Sequence, residues 1–68
     1  MQIQWIDGFE ITVKCVNDTA TISANREGLL SLSQQLAILA DGIAGDHIHY
    51  DEYNSLEKDS SELIVVKI

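Results

Sequence analysis

The spacing of apolar residues changes at Asn25, from a period of two to a helical period. Before Asn25, apolar and polar residues alternate through residues 9–16 and again through residues 19–24. This alternation is typical of half-buried strands, because successive side chains point to opposite faces of a sheet. After Asn25, apolar residues recur at steps of three and four, which predicts an amphipathic helix. Its predicted buried stripe is Leu29, Leu32, Leu36, Leu39 and Ile43.

Turn signals divide the first part of the chain. Asp7-Gly8 and Asn17-Asp18 each favour a tight turn between two β-prone segments. Residues 1–24 are therefore expected to form a three-stranded meander, with the first strand at residues 3–6. Ser23 and Asn25 are both good N-cap residues for the helix that follows, and Asp41-Gly42 is a suitable end.

Two more strands are expected after the helix. Residues 47–51 alternate, residues 52–61 are polar and rich in turn formers, and residues 62–68 are strongly β-prone and apolar on both sides. The predicted order is βββαββ, in one domain spanning residues 1–68. The fold class is α+β: a mostly antiparallel sheet of four to five strands, with one amphipathic helix packed on one face. The helix stripe is expected to meet Phe9, Ile11, Val13, Ile22 and Ile48.

Chain length and cysteine content limit how the fold is stabilised and which compartment suits it. The chain has 68 residues and a single cysteine, Cys15, so it cannot form an internal disulfide, and a lone thiol fits a reducing compartment. Cys15 alternates with apolar residues and is expected to be buried. The first residues do not resemble a secretion signal, and no apolar run approaches the length of about 20 residues that spans a membrane. We expect a soluble cytoplasmic protein.

Charge is the clearest indication of partner class. Eleven acidic residues against four basic ones give a net charge of −7, which argues against nucleic acid or an anionic membrane as partner. Seven of the eleven acids fall between Asp41 and Glu62, opposed only by Lys58. This segment is expected to attract a basic protein, with Tyr53 as an anchor, although an ordinary solvated loop would have the same composition. The candidate partner-binding residues are Asp46, Asp51, Glu52, Tyr53, Glu57 and Asp59.

Catalytic and metal chemistry have little support. His47-x-His49-x-Asp51 would place two imidazoles and a carboxylate on one face of a strand, and such residues can bind zinc. No cysteine pair or His-Glu-x-x-His motif supports a metal, and the serines lack a nucleophile elbow. We therefore expect no enzyme activity, no catalytic residue and no cofactor. A small metal-binding protein remains an alternative.

Several motifs resemble a known family. Residues 22–29, Ile-Ser-Ala-Asn-Arg-Glu-Gly-Leu, followed by Leu32, Leu36 and Leu39, resemble the helix entry of the immunity protein 32 family. Residues 47–51 and 60–65 are similar to that family's closing strands. The resemblance implies an immunity protein of a bacterial polymorphic toxin system, which binds a cognate toxin in the producing cell and blocks it. Toxins in these systems are frequently nucleases, which are often basic, and the resemblance assigns no contact residues.

A third possibility is a structural homo-oligomer. Residues 62–68 are apolar on both sides, which suggests neighbours on both strand edges or a face covered by something else. A homodimer that buries this surface could coexist with toxin binding.

Overall fold

The computed structural model describes residues 2–68, and in this part of the chain one helix lies between two β-hairpins. The elements are β1 (Ile11–Val16), β2 (Thr19–Ala24), α1 (Arg26–Ala40), β3 (His47–Tyr50) and β4 (Leu63–Val66). β1 pairs with β2 and β3 pairs with β4, both antiparallel, in two separate sheets. The predicted α+β class, single helix and antiparallel pairing are confirmed. The single sheet of four to five strands is wrong.

The predicted strand at residues 3–6 is also wrong, so the order is ββαββ. Gly8 has φ 86° in the predicted turn, yet the segment before it pairs with no strand among the described residues. Its backbone instead meets helix side chains. The Ile6 amide donates to Ser31 Oγ at 2.9 Å, and the Gln4 carbonyl accepts from Gln35 Nε2 at 2.8 Å. These bonds satisfy the polar groups that a neighbouring strand would otherwise pair.

The β1–β2 hairpin turns at Asn17 and Asp18, whose φ angles are 50° and 66°. Two successive left-handed residues match a type I′ turn, which suits the twist of paired strands. Only the start of the hairpin reaches the core, and its far half is exposed on both faces. Cys15 is consequently exposed and Ile22 nearly half exposed, although both were expected to be buried.

Of the two candidate caps, Asn25 is the one used: helix α1 begins after it, because Asn25 Oδ1 accepts from the Gly28 amide at 2.8 Å. The buried face is rotated relative to the predicted stripe. Leu32 and Leu39 are buried, but the other predicted stripe residues, Leu29, Leu36 and Ile43, are exposed. Gly28, Ser31 and Gln35 are buried instead. The N-terminal segment binds Ser31 and Gln35, and Gly28 packs against Glu10 and Ile11.

The core lies where the helix and both hairpins meet. Its buried apolar residues are Ile11, Val13, Leu32, Leu39, Ile48, Tyr50 and Leu56. Trp5 stacks on Phe9 with ring centroids 4.3 Å apart and meets the edge of Tyr50 at 6.0 Å, which closes the core from the N-terminal side. Within residues 2–68, the helix is too short and too polar to cross a membrane.

The segment between β3 and β4 joins the two sheets. The Glu57 amide donates to the Ile11 carbonyl at 2.9 Å, and the Ser61 amide donates to the Val13 carbonyl at 2.7 Å. β1 therefore lies between β2 on one edge and residues 57–61 on the other. This placement fixes the segment that carries most of the predicted partner-binding residues.

Candidate functional site

The segment from Asp51 to Glu62, here called the acidic loop, leaves β3 through a tight turn. The Asp51 carboxylate accepts from the amides of Tyr53 at 2.9 Å and Asn54 at 3.0 Å. The Asp51 carbonyl accepts from the Leu56 amide at 2.8 Å, and Leu56 is buried in the core. The turn is thus held from within by a carboxylate and anchored by an apolar side chain.

This turn places Tyr53 outward. The Tyr53 side chain is 91% exposed, the most open aromatic ring in the described chain. Its neighbours in the turn, Ser55 and Leu56, are buried. A large ring projecting from a turn with a buried base suits a hot-spot contact, because the backbone beneath it is already ordered.

The far half of the acidic loop bends back over β1. The Asp59 amide donates to Glu52 Oε2 at 2.9 Å, so the Glu52 carboxylate bridges the two halves of the loop. Lys14 Nζ donates to the Asp59 carbonyl at 2.5 Å, and Asp59 has φ 70°. The hydrogen bonds of Asp59 and Glu57 found in the structure all use backbone atoms. Their carboxylates remain at the exposed surface.

Glu57 also borders an open groove of about 310 Å³ beside the outer face of the β1–β2 hairpin. The groove is lined by Glu10, Thr12, Ser23, Ala24, Asn25 and Glu57. Two carboxylates and several polar side chains make it a suitable place for a partner's cation. No local sequence pattern predicts this groove, because it depends on the loop running alongside β1.

Asp46 lies apart from the other predicted residues. It precedes β3, whereas the acidic loop follows it. Asp46 Oδ2 accepts from the Ile43 amide at 3.1 Å, and the Asp46 carbonyl accepts from the Lys67 backbone amide at 2.8 Å. Asp46 therefore shapes the connection between α1 and β3. The structure brings the remaining five predicted residues together in one loop.

The two histidines stand on the outer side of β3. His49 Nε2 lies 3.3 Å from Glu62 Oε1 and 3.8 Å from Asp51 Oδ2, whereas His47 Nδ1 lies 3.3 Å from the Gly45 carbonyl oxygen. In residues 2–68, no three or more His, Cys, Asp or Glu side chains are arranged to hold a metal ion. Glu62 was not among the predicted residues. Its alternation with Ile64 and Val66 could have placed it beside His49.

Comparison with known proteins gives one match. The sequence model of a family described as immunity protein 32 matches residues 19–68, which is most of the chain and includes the helix, β3, β4 and the acidic loop. No curated protein and no solved structure matches the chain.

Proposed function

Because this chain belongs to the immunity protein 32 family, we propose that it binds a cognate bacterial toxin in the cytoplasm of the producing cell and neutralises it by occlusion. The family match is the observation that carries this proposal. An occluding inhibitor needs a complementary surface and no catalytic groups of its own. The projecting Tyr53 and the carboxylates of the acidic loop supply such a surface.

The charge of the chain favours a toxin with a basic active-site cleft. A net charge of −7 steers a basic partner towards the protein and repels nucleic acid. Nuclease toxins bind phosphates and therefore carry basic clefts, so a nuclease fits this chain as target. An acidic loop seated in such a cleft takes the place of the substrate's phosphates.

Within the loop, the predicted residues divide into two roles. Asp51 and Glu52 accept hydrogen bonds from the loop backbone, so they hold its shape. Tyr53, Glu57 and Asp59 present exposed side chains and are the proposed contacts. Asp46 contributes to the overall potential from the other end of β3.

The first test removes the two contact charges and keeps the fold. The double variant Glu57→Gln, Asp59→Asn raises the net charge by two, and Asn tolerates the positive φ of Asp59. Calorimetry would measure its binding to an inactive form of the toxin domain encoded in the neighbouring reading frame. We expect affinity to fall about tenfold, because two charge contacts of roughly 0.7 kcal/mol each are lost.

The matched control is Ser33→Lys, Gln34→Lys, which raises the net charge by the same two units at exposed positions of α1. This control should bind within about twofold of the wild type at moderate salt, because the added charges lie outside the loop. Equal affinities for the two double variants would contradict contact through the acidic loop. If the wild-type protein does not bind the toxin domain, the immunity function itself is wrong.

A further inference from the structure

The outward face of the β3–β4 sheet is unusually apolar. The pairing register places His47 opposite Val66 and His49 opposite Ile64, and these four side chains, here called the outward face, point away from the core. Ile64 and Val66 are 50% and 53% exposed. The alternate residues of both strands point inward, and Ile48 and Tyr50 among them belong to the core.

The other hairpin shows what an ordinary solvated sheet face looks like in this protein. The outer side of β1 and β2 carries Thr12, Lys14, Thr21 and Ser23, and its apolar residue, Val16, stands at the far end of the hairpin. The outward face carries two adjacent aliphatic residues and two imidazoles in the equivalent positions. Scattered apolar residues on a surface are common, but an adjoining group on one face indicates a contact surface.

The outward face continues into the acidic loop. His49, at one end of the face, lies beside Glu62 and Asp51, which are the last and first residues of the loop. An apolar area bordered at one end by the carboxylates of Asp51 and Glu62 has the composition of a binding surface, in which a water-excluding centre adjoins a polar rim. The two ends of the acidic loop therefore adjoin the outward face.

The charges around this surface indicate which kind of partner binds it. No lysine or arginine lies on the outward face, and the nearest cation along β4, Lys67, alternates to the inner side and is partly buried. A second copy would bring another net charge of −7 against the same carboxylates, which opposes pairing of two copies. A basic protein surface with an apolar projection complements both the outward face and the acidic loop.

We infer that the outward face is the apolar centre of the toxin-binding surface, with the acidic loop as its rim, and that its occupant is an apolar side chain surrounded by basic residues on the toxin. The inference rests on the proposed function and specifies its interface. On binding, Ile64 and Val66 lose their remaining contact with water, and this burial adds to the charge attraction. His47 and His49 lie beside the aliphatic pair on β3 and give it a polar edge.

The test replaces the aliphatic groups without weakening the strand. Ile64→Thr, Val66→Thr keeps β-branched side chains, which strands favour, and makes the face polar. The control is Val16→Thr, Ile22→Thr, which changes exposed apolar residues of the other hairpin in the same way. Calorimetry with the same inactive toxin domain should show affinity reduced roughly thirtyfold for the first variant and within about twofold of wild type for the control.

The outcomes separate the interface from the function. If the wild type binds and Ile64→Thr, Val66→Thr binds equally well with an unchanged circular dichroism spectrum, the inferred centre is wrong and the proposed function stands. If the wild type does not bind, both the inferred centre and the proposed function are wrong. Sedimentation at rising protein concentration tests the other occupant: a wild-type dimer that the threonine variant dissociates would assign the face to a second copy and overturn the inference.

Discussion

Gln35 and Tyr50 form the most consequential polar contact of the interior. The Tyr50 hydroxyl donates to Gln35 Oε1 at 2.7 Å, and both side chains are fully buried. Gln35 Nε2 in turn donates to the Gln4 carbonyl, so one amide joins the N-terminal segment, the helix and β3. Buried polar groups are costly unless paired, and here each has a partner.

Gln35 lies outside the predicted buried stripe of the helix, and glutamine is usually exposed. A polar side chain gives no sign of burial unless its partners are known. Those partners, a tyrosine fifteen residues later and a carbonyl near the N-terminus, become neighbours only in the folded chain. The burial of Tyr50 itself was predictable, because Tyr50 alternates with Ile48.

We expect Tyr50→Phe to lower the free energy of unfolding at pH 7 by about 1–3 kcal/mol, because Gln35 Oε1 loses its donor in the interior. Urea denaturation followed by circular dichroism would measure the change. Tyr53→Phe is the matched control, since the Tyr53 ring is exposed, and it should leave stability unchanged. Equal stability of the two variants would show that the Tyr50 hydrogen bond contributes nothing net.

The same two variants test how the free energy of unfolding changes at alkaline pH. Burial raises the pKa of the Tyr50 hydroxyl above its ordinary value of 10.0. The folded state therefore retains this proton after the unfolded state has lost it, so the stabilisation is complete below pH 10 and declines as pH rises further. Wild-type protein and Tyr53→Phe should lose stability more steeply above pH 10 than Tyr50→Phe. Parallel curves would contradict a buried, protonated Tyr50.

At the level of elements, the helix and four of the five expected strands were readable from the sequence. The two-residue period of β1 and β2 and the cap at Asn25 depend only on residues that are close in sequence. Such features can be predicted without knowing the tertiary structure. Which face of the helix is buried could not be predicted, because Leu29 and Leu36 are as apolar as Leu32 and Leu39. Contacts with the N-terminal segment decide which side is covered.

Gly28 packs tightly against the chain at the start of β1. A Cβ at this position would lie 2.7 Å from the Glu10 carbonyl oxygen and 2.9 Å from Ile11 Cγ1. The first of these is a backbone atom, which cannot rotate away as a flexible side chain would. The helix therefore packs at a distance that only glycine permits.

Gly28→Ala should consequently destabilise the protein by about 1–2 kcal/mol, because overpacking outweighs the gain of roughly 1 kcal/mol in helix propensity. Thermal denaturation would show a lower Tm. Ser33→Ala, at an exposed position of the same helix, is the control and should raise Tm slightly or leave it unchanged. A Gly28→Ala variant as stable as wild type would mean that helix and strand can separate freely.

For the molecule as a whole, net charge was the most informative property of the sequence, and it speaks to association, not to fold. The acidic segment was identified from its composition, and five of the six candidate residues do lie in one loop. The groove at Glu57, the pairing of His49 with Glu62 and the outward face depend on register and loop path. Those features require pairing between residues distant in sequence.

The whole-molecule charge gives a kinetic prediction. The association rate constant with a basic toxin domain should fall at least tenfold between about 20 mM and 500 mM salt, because screening shortens the range of attraction. The dissociation rate constant should change much less. Stopped-flow fluorescence would measure both. A salt-independent association rate would argue against electrostatic steering.

The position of the acidic loop depends on β1. The Ile11 and Val13 carbonyls that hold residues 57 and 61 belong to β1, which precedes the family-matched region at residues 19–68. A one-residue slip of β1 against β2 would carry these acceptors along the strand and displace the loop with them. Under the proposed function, a substitution that shifts the register of β1 is therefore expected to weaken toxin binding, because it displaces the acidic loop.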